Sequence, residues 1–517
     1  MSMSPLKQPF YIFRKDALHL WPETLISIVL LIAYASVEVQ TWAPVNTESM
    51  TLTVVAIKLA SVGLAFLLPI SWLVLTSRLV HDEELVGDRQ FWITRPYTWY
   101  SLLASKVLYL VVFVGIPFLV MQAWLLHHAG LYPTQVVPAL LKNLLLIAAV
   151  FLLPLFAIAA VTATFPRYIS SVLGGFIYFW VVVFIAGYAW TESFMAPYFL
   201  YAMGGTVLAL IVAAIILQYA RRKTLIARLL LAAVPVVIVL FAALTPVNLL
   251  SNHRYPANSA GTVAFDTDPM RKQPAGRLFN FRGKVVLELP VQVKLSGMDD
   301  KSIVAVQSIR LLIDDPNGYH YTSDWSSDQA EFSPEQSGYV LMVRLPETVY
   351  NRIHNQPVAV HLQLGTQIIH AGTEYSVPAT ETAFPAPSHA ACTVSAENGQ
   401  LECRYPFANP TFTQVSAVVH NGNCMAPGPL SAPAYGALTP TAVSFGFSPV
   451  EIARTALKIR TTAVPLCPGT RTTFTPTVAG AYDRMTVDIP AITLDPYARR
   501  IPVKPEGELT PGPTPQP

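Results

Sequence analysis

The chain of 517 residues is 53% hydrophobic and only 13% charged, whereas a soluble domain carries about 25% charged residues. Its mean hydropathy of +0.44 points the same way, so composition alone predicts a membrane protein. The formal net charge of +3 is small and the basic residues form no long run, so we expect no nucleic-acid partner.

The first half of the chain contains long apolar runs, each near the ~20 residues that a helix needs to cross a bilayer. After an amphipathic N-terminal segment at 1–23, these runs predict an α-helical polytopic membrane domain at 24–247 with about seven transmembrane helices. The first run lacks a small-residue cleavage site, so we expect it to remain as a signal anchor. The predicted spans are 24–42, 54–77, 103–126, 139–163, 171–190, 200–219 and 228–247.

The basic residues alternate between the connections. Lys and Arg occur before the first span and in the connections after spans two, four and six, while the other three connections contain none. Basic residues are retained on the cytoplasmic side of membranes. The pattern therefore predicts a cytoplasmic N-terminus and places everything beyond about residue 250 outside.

All four cysteines lie in this C-terminal half, as an oxidising compartment would favour. The stretch "CTVSAENGQLEC" is typical of a hairpin around Asn398-Gly399, so we expect Cys392 to pair with Cys403. Cys424 would then pair with Cys467. Four cysteines allow three pairings, and sequence does not choose among them. The alternative to any disulfide is that the thiols are buried and unpaired.

The C-terminal half changes from continuous apolar runs to short alternating ones such as "KVVLELPVQVKL", which favour strands. We expect an all-β extracytoplasmic region of two β-sandwich-like modules, each near the ~100-residue size of such domains. After a linker at 248–275, the modules are placed at 276–385 and 386–496. The tail at 497–517 is rich in Pro and predicted to be disordered.

Motifs of known chemistry are missing from the sequence. It contains no His-Glu-x-x-His, no Gly-x-Ser-x-Gly and no Cys-x-x-Cys. We therefore predict no catalytic residue, no metal site and no cofactor on this chain, and a membrane-embedded enzyme is the disfavoured alternative.

Ionisable residues are few within the predicted spans, where a charge is costly, and Glu38, Lys58 and Lys142 are among them. Glu38 in the first span and Lys58 in the second both lie toward the outer leaflet and are candidates for an intramembrane pair. The alternative is that each extends separately to the outer interface.

The segment at 81–100, "HDEELVGDRQFWITRPYTWY", connects spans two and three on the predicted cytoplasmic side. It favours a helix from Glu83 to Thr94, which Pro96 would end. Its apolar and aromatic residues would lie in the membrane interface while its charged residues, Glu83 included, face the cytosol. Such a helix either rests on lipid or offers a soluble partner both charges and an aromatic anchor.

The lead "FYIFRKDALHLWPE" and the stretch "EELVGDRQFWITRPYTWYSLLASK" resemble the membrane subunit of ABC-2-type transporters. In that family the corresponding segment is the coupling helix that docks on the ATPase, and Glu84, Gly87, Pro96 and Lys106 match its pattern in place. Larger residues elsewhere in the segment resemble a divergent bacterial branch, here with an extra C-terminal extracytoplasmic β domain. The docking residues implied are Glu83, Glu84, Gly87, Asp88, Arg89, Phe91, Trp92, Arg95 and Pro96.

The resemblance covers residues 1 to about 220 and implies a permease subunit in a bacterial plasma (inner) membrane. It implies a separate ABC ATPase as partner, ATP hydrolysis on that partner, and a homodimer or heterodimer of permeases surrounded by lipid. The competing hypothesis is a non-transporting membrane anchor or sensor whose outer β region binds a ligand or protein.

The predicted topology is tested by a reporter fused near residue 300. We expect alkaline phosphatase activity from this fusion and none from a matched fusion near residue 225, because the seventh predicted span lies between the two positions and places them on opposite sides. A cytosolic reporter at position 300 would contradict the assigned faces.

Overall fold

Ten helices build the first half of the described chain. The structure, a computed structural model, describes residues 7–42, 52–83, 98–189, 197–244, 255–256, 264–267, 286–296, 303–332, 339–371, 373–378, 384–386, 390–395, 400–406, 415–420, 434–438, 447–456, 458–459, 462–463 and 471–494. The helices are α1 (Gln8–His19), α2 (Trp21–Thr41), α3 (Leu52–His81), α4 (Trp99–Leu110), α5 (Ile116–His128), α6 (Val137–Ile147), α7 (Leu153–Val161), α8 (Phe165–Ala189), α9 (Pro197–Ile216) and α10 (Thr224–Leu244).

Seven segments in this set are long and apolar enough to cross a membrane, which confirms the predicted number of spans. Many of their large apolar side chains are exposed, among them Phe66, Leu145 and Ile177, as expected of helices surrounded by lipid. The segments are Trp21–Thr41, Leu52–His81, Trp99–His128, Val137–Val161, Phe165–Val182, Met203–Arg221 and Thr224–Phe241.

Three spans contain a π-helical turn, at Val111–Gly115, Ala148–Leu152 and Leu217–Arg221. In the first two, a proline follows the turn by two residues, namely Pro117 and Pro154. A proline ring clashes with the carbonyl four residues earlier in an α-helix, and the wider π turn relieves that clash. These turns separate α4 from α5 and α6 from α7.

Helix α1 lies within the predicted amphipathic segment at 1–23 and buries one face. Gln8, Ile12 and Asp16 are buried at intervals of four residues, and Leu20 continues the line just beyond the helix. Residues four apart lie on the same side of a helix, and this side packs against α4. The N-terminal helix therefore belongs to the core of the bundle, although one of its inward residues is a carboxylate.

The β-rich part of the described chain contains seventeen strands and one short helix. The helix is α11 (Glu347–Ile353). The strands are β1 (Ala264–Thr267), β2 (Val286–Ser296), β3 (Ile303–Asp314), β4 (His320–Thr322), β5 (Ser326–Phe332), β6 (Tyr339–Pro346), β7 (Val358–Ala371), β8 (Tyr375–Pro378), β9 (Phe384–Ala386), β10 (Ala390–Ser395), β11 (Gln400–Pro406), β12 (Val415–His420), β13 (Ala434–Leu438), β14 (Val450–Ala456), β15 (Lys458–Ile459), β16 (Thr462–Ala463) and β17 (Arg471–Ile492).

The chain divides into two compact units. The first contains helices α1–α10, strands β8–β16 and the start of β17, and the second contains β1–β7, α11 and β17 from residue 479 onward. Within the first unit, one antiparallel sheet has the order β14-β11-β10-β9, and another has the order β16-β15-β13-β12-β17 with β8 beside β17.

The sheet β14-β11-β10-β9 contains the predicted disulfide. Cys392 and Cys403 are directly opposed in the β10–β11 pair, are bonded to each other and are fully buried. The predicted Cys392–Cys403 pair is therefore confirmed. Cys424 and Cys467 lie outside the described residues.

The second unit has two sheets that share one apolar core. The sheets have the orders β1-β2-β6 and β17-β7-β3-β4, with β5 also beside β3. Alternating residues of the strands point into this core, as a strand with one buried face requires. Its members include Val306, Leu311, Leu341, Val343, Leu345, Ile353, Leu362 and Val487.

Contacts of the described residues bear on two of the predicted boundaries. Within the predicted linker at 248–275, Tyr255 is 3% exposed and accepts a hydrogen bond from Arg484 Nη2 at 2.6 Å, and β1 pairs with β2. At the other end, residues 479–492 of β17 belong with the second unit rather than with a module at 386–496. Two successive β-sandwich-like modules are therefore not confirmed. The sequence does not indicate this division because pairing between strands distant in sequence leaves no local pattern.

We predict that the Cys392–Cys403 bond resists a reductant while the protein is folded, because both residues are 0% exposed. Opening it would remove a constraint of about 3 kcal/mol in the loop-closure model. The check is a maleimide gel shift with reductant, before and after adding denaturant, with Cys392→Ser/Cys403→Ser as the control. Rapid labelling of both thiols without denaturant would contradict the buried placement.

Candidate functional site

The predicted docking residues fall almost entirely outside the described part of the chain. Residues 84–97 are not described, so Glu84, Gly87, Asp88, Arg89, Phe91, Trp92, Arg95 and Pro96 have no placement here. Glu83 is described, two residues after the end of α3, and it is 8% exposed. Its side chain lies in the protein interior rather than facing the cytosol as predicted.

Glu83 belongs to a cluster of four charged side chains, Lys15, Asp16, Glu83 and Lys106, which we call the ionic cluster. Lys106 is 0% exposed. Its Nζ lies 2.7 Å from Asp16 Oδ2 and 3.4 Å from Glu83 Oε1. Lys15 Nζ lies 3.1 Å from the same Glu83 oxygen. Two ammonium groups thus face two carboxylates, and the cluster has no net charge.

Three elements position these groups. Asp16 lies on the buried face of α1, and Lys106 on the buried face of α4 together with Leu102 and Tyr109. Glu83 is held where the chain leaves α3, its backbone N–H donating to Val80 O at 3.3 Å. The cluster therefore fastens α1, the end of α3 and the start of α4 to one another.

Burial and pairing act in opposite directions on the two carboxyl groups. Burial raises the pKa of Asp16, and the neighbouring Lys106 offsets this only in part. Burial also acts to raise the pKa of Glu83, but Lys106 and Lys15 together outweigh it and hold the pKa of Glu83 below its ordinary value. Burial thus has the larger effect on the pKa of Asp16, and the neighbouring ammonium groups have the larger effect on the pKa of Glu83.

Further polar contacts surround the ionic cluster at this end of the bundle, which we call the basic end. Arg78 lies 3.6 Å from Glu23, and His19 lies 3.4 Å from Asp82. These pairs link α2 and α1 to the last turn of α3 and the residue after it.

Two more contacts at the basic end reach the later spans. His81 Nε2 lies 3.1 Å from Thr162 Oγ1, which follows α7. Arg228 of α10 donates two hydrogen bonds to the carbonyl of Val161, at 2.8 and 3.1 Å. Polar contacts at this one end thus connect five of the seven spans. The ionic cluster joins the second and third spans, and the other contacts reach the first, fourth and seventh.

Sequence reasoning missed the partner of Lys106. The resemblance assigned this lysine a place in the family pattern, but its carboxylate comes from Asp16, 90 residues earlier. A lysine inside "SLLASKVLYL" and an aspartate on the apolar side of α1 are each expensive to bury alone. Because each residue needs a buried partner of opposite charge, the sequence could have indicated that the two form a pair.

The structure gives Glu38 a partner other than the predicted Lys58. Ser61 of α3 donates a hydrogen bond to Glu38 Oε2 at 2.8 Å, and no ion pair between Glu38 and Lys58 occurs within the described chain. Lys58 lies one helical turn from Ser61 and is exposed. A hydroxyl on the facing helix satisfies the carboxylate, and the ammonium group projects from the bundle instead.

Comparison with known proteins adds little. No protein-family model and no curated protein matches the chain. Among solved structures, the chain is similar to red sea bream transglutaminase at 9% identity, with a TM-score of 0.12, over 40% of this chain and 29% of that one. A similarity at this level carries no argument about fold or function. The structure itself defines the class of the protein, which is a multi-pass membrane protein with a β-rich C-terminal region.

We predict that the charges of the ionic cluster are strongly coupled. Asp16→Leu or Lys106→Met alone would each destabilise the protein by about 3–5 kcal/mol, because each leaves one uncompensated charge in the buried cluster. In the double variant the cluster keeps the Lys15–Glu83 pair at 3.1 Å and again has no net charge. The double variant should therefore regain most of the stability that each single change removes. Thermal unfolding of the four proteins in detergent measures the coupling.

The matched control is Lys15→Met, whose side chain is 44% exposed; exposed pairs contribute about 0–1 kcal/mol. Additive effects of Asp16→Leu and Lys106→Met in the double variant would show that the two residues do not act as a pair.

Proposed function

We propose that this chain is the membrane-spanning subunit of an ABC-2-type, ATP-driven transporter, which docks a separate ATPase through the segment at 81–100. The observation that supports this best is the ionic cluster. Glu83 near the start of the segment and Lys106 shortly after it are 3.4 Å apart. Both ends of the segment are therefore fastened to the helices that a docking partner would have to move.

A docking segment transmits force only if it is rigidly joined to the spans. Glu83 and Lys106 join it to α3, α4 and α1, and these two residues cannot separate without breaking contacts between buried charges. Separation is costly, so movement of the helices is the cheaper response. The cluster thus favours transmission over local yielding.

This proposal changes the role of Glu83. Its carboxylate is occupied by Lys106 and Lys15, so it positions the segment and does not contact the ATPase. The contact is assigned to the remaining residues of the segment, which offer both charges and aromatic rings. They are Glu84, Gly87, Asp88, Arg89, Phe91, Trp92, Arg95 and Pro96.

The energy source in this proposal is a separate subunit. The sequence contains no Gly-x-x-x-x-Gly-Lys-[Ser/Thr] loop to cradle the phosphates of ATP. Two conformations driven by nucleotide need a contact that differs between them, and the docking segment is that contact. We further propose a dimer of permeases in a bacterial plasma membrane.

The orientation belongs to the same proposal. The basic end is placed in the cytoplasm because it carries the Lys- and Arg-containing connections. The β-rich region is placed outside, which agrees with its Cys392–Cys403 bond, since disulfides persist in oxidising compartments.

A membrane sensor is the second candidate, and one contact favours it. Ala391 and Val450 of the sheet β14-β11-β10-β9 belong to the same apolar cluster as residues of α2, α3 and α5. A ligand that shifts this sheet would therefore act directly on the helices, with or without an ATPase. Sensor and transporter differ in whether an ATPase binds at the basic end.

The proposed function is tested by co-purification with a Walker-motif ATPase encoded beside this gene. We expect the ATPase to remain bound to the full chain, and Glu84→Ala/Trp92→Ala to weaken the association about tenfold or more, as loss of a central aromatic and a charge does. The measurement is the ATPase-to-permease ratio after affinity purification in mild detergent.

The matched control is Trp124→Ala, which removes a partly exposed aromatic residue from α5, near the end of the bundle opposite the basic end. It should leave the ratio unchanged. Equal recovery of the ATPase with Glu84→Ala/Trp92→Ala would exclude the docking role, and absence of any bound ATPase would favour the sensor.

A further inference from the structure

An aromatic side chain from the β-rich region lies among the membrane helices. Phe447, three residues before β14, has its ring centroid 6.1 Å from that of Tyr34, 5.6 Å from that of Trp72 and 6.2 Å from that of Phe118. The three wall residues come from α2, α3 and α5 and are at most 4% exposed. We call the space between them the aromatic pocket.

The geometry of the pocket is selective for an aromatic ring. The Phe447 ring meets the three wall rings at interplanar angles of 73°, 71° and 82°, which is the edge-to-face arrangement that aromatic pairs prefer. Trp72 is fixed in turn by a hydrogen bond of 3.0 Å from its Nε1 to Ser27. The walls are thus held in place for a ring at this position.

The pocket also recognises backbone. Gln122, one helical turn beyond Phe118, is 0% exposed, and its Nε2 donates to the carbonyl oxygen of Phe447 at 3.5 Å. Its Oε1 is buried and has no hydrogen-bond partner within the described chain. A carboxamide can both donate and accept, and burying one half of it without a partner is unfavourable.

The pocket lies deep in the bundle. Phe118 is ten residues before the end of α5, which corresponds to about 15 Å along the helix, half the hydrocarbon thickness of a membrane. A peptide carbonyl at such a depth requires a donor from the protein. Gln122 supplies it, and can serve a peptide N–H in the same way through its unpartnered oxygen.

We infer that the aromatic pocket is a binding site for an extended peptide that carries a large aromatic side chain, and that Phe447 of the chain itself occupies it in this structure. An acyl chain or an apolar small molecule would fill the space between the rings but would leave both halves of the Gln122 carboxamide unpaired. A peptide fills the space between the rings and accepts a hydrogen bond from Gln122 Nε2, as the Phe447 carbonyl does, and a further backbone N–H can pair with the remaining oxygen. The inference stands independently of any ATPase partner.

The experiment uses the full-length protein in lipid nanodiscs and the peptide N-acetyl-Gly-Phe-Ser-Pro, which copies residues 446–449, with a fluorescent label on its C-terminal amide. Binding is followed by fluorescence anisotropy. In the wild type the internal segment competes, so the apparent affinity is reduced by the fraction of pockets that are open. Phe447→Ala empties the ring position and should tighten binding by about tenfold or more.

Matched variants separate the pocket from general membrane binding. In the Phe447→Ala background, Gln122→Ala should weaken peptide binding at least about tenfold, as expected when a buried hydrogen-bonding group is lost. Val120→Ala should not, because Val120 lies on the same helix but is 62% exposed. The peptide N-acetyl-Gly-Ala-Ser-Pro, with the same label, should bind none of the variants measurably.

Several outcomes would overturn the inference: no tightening by Phe447→Ala, equal binding with and without Gln122, or equal binding of the alanine peptide. Folding of each variant is checked by gel filtration and by retention of the Cys392–Cys403 bond. Should Phe447→Ala not give a monodisperse protein, Phe447→Leu, which removes the ring but keeps most of the apolar volume, takes its place with the same expected order of affinities.

Discussion

The buried ammonium group of Lys106 is the constraint on which the membrane half depends. A lone charge in an apolar interior costs more than folding can supply, so Lys106 fixes where Asp16 and Glu83 must lie, at 2.7 and 3.4 Å. Helix α1 is thereby held to the start of the third span and the end of the second. The basic end of the bundle is consequently organised by charge, while the spans themselves are organised by apolar packing.

The sequence predicted what local patterns encode and missed what distant pairs decide. Seven apolar runs and one hairpin with opposed cysteines are local, and both predictions are confirmed. The partner of Lys106, the serine that satisfies Glu38 and the return of β17 to the second unit join positions far apart in sequence. Their residue types show only that some partner is required, because many polar groups would meet the same need.

Two sites of different chemistry are built on the same helices. Helix α3 carries Trp72 in the aromatic pocket and leads to Glu83 in the ionic cluster, while the third span carries Lys106 in α4 and Phe118 in α5. Contiguous packed helices are the physical route by which two distant sites influence each other. Occupancy of the pocket and the state of the basic end are therefore properties of one set of helices.

The π turn at Val111–Gly115 stands between Lys106 and Phe118 on that third span. Such a turn holds one residue more than an α-helical turn, and each residue of a helix advances the chain by about 100° around the axis. Displacing the extra residue along the span would swivel α5, and the face bearing Phe118, while α4 stayed clamped by its charges. The π turn thus allows α5 to rotate about the axis of the span relative to α4 without unwinding of either helix.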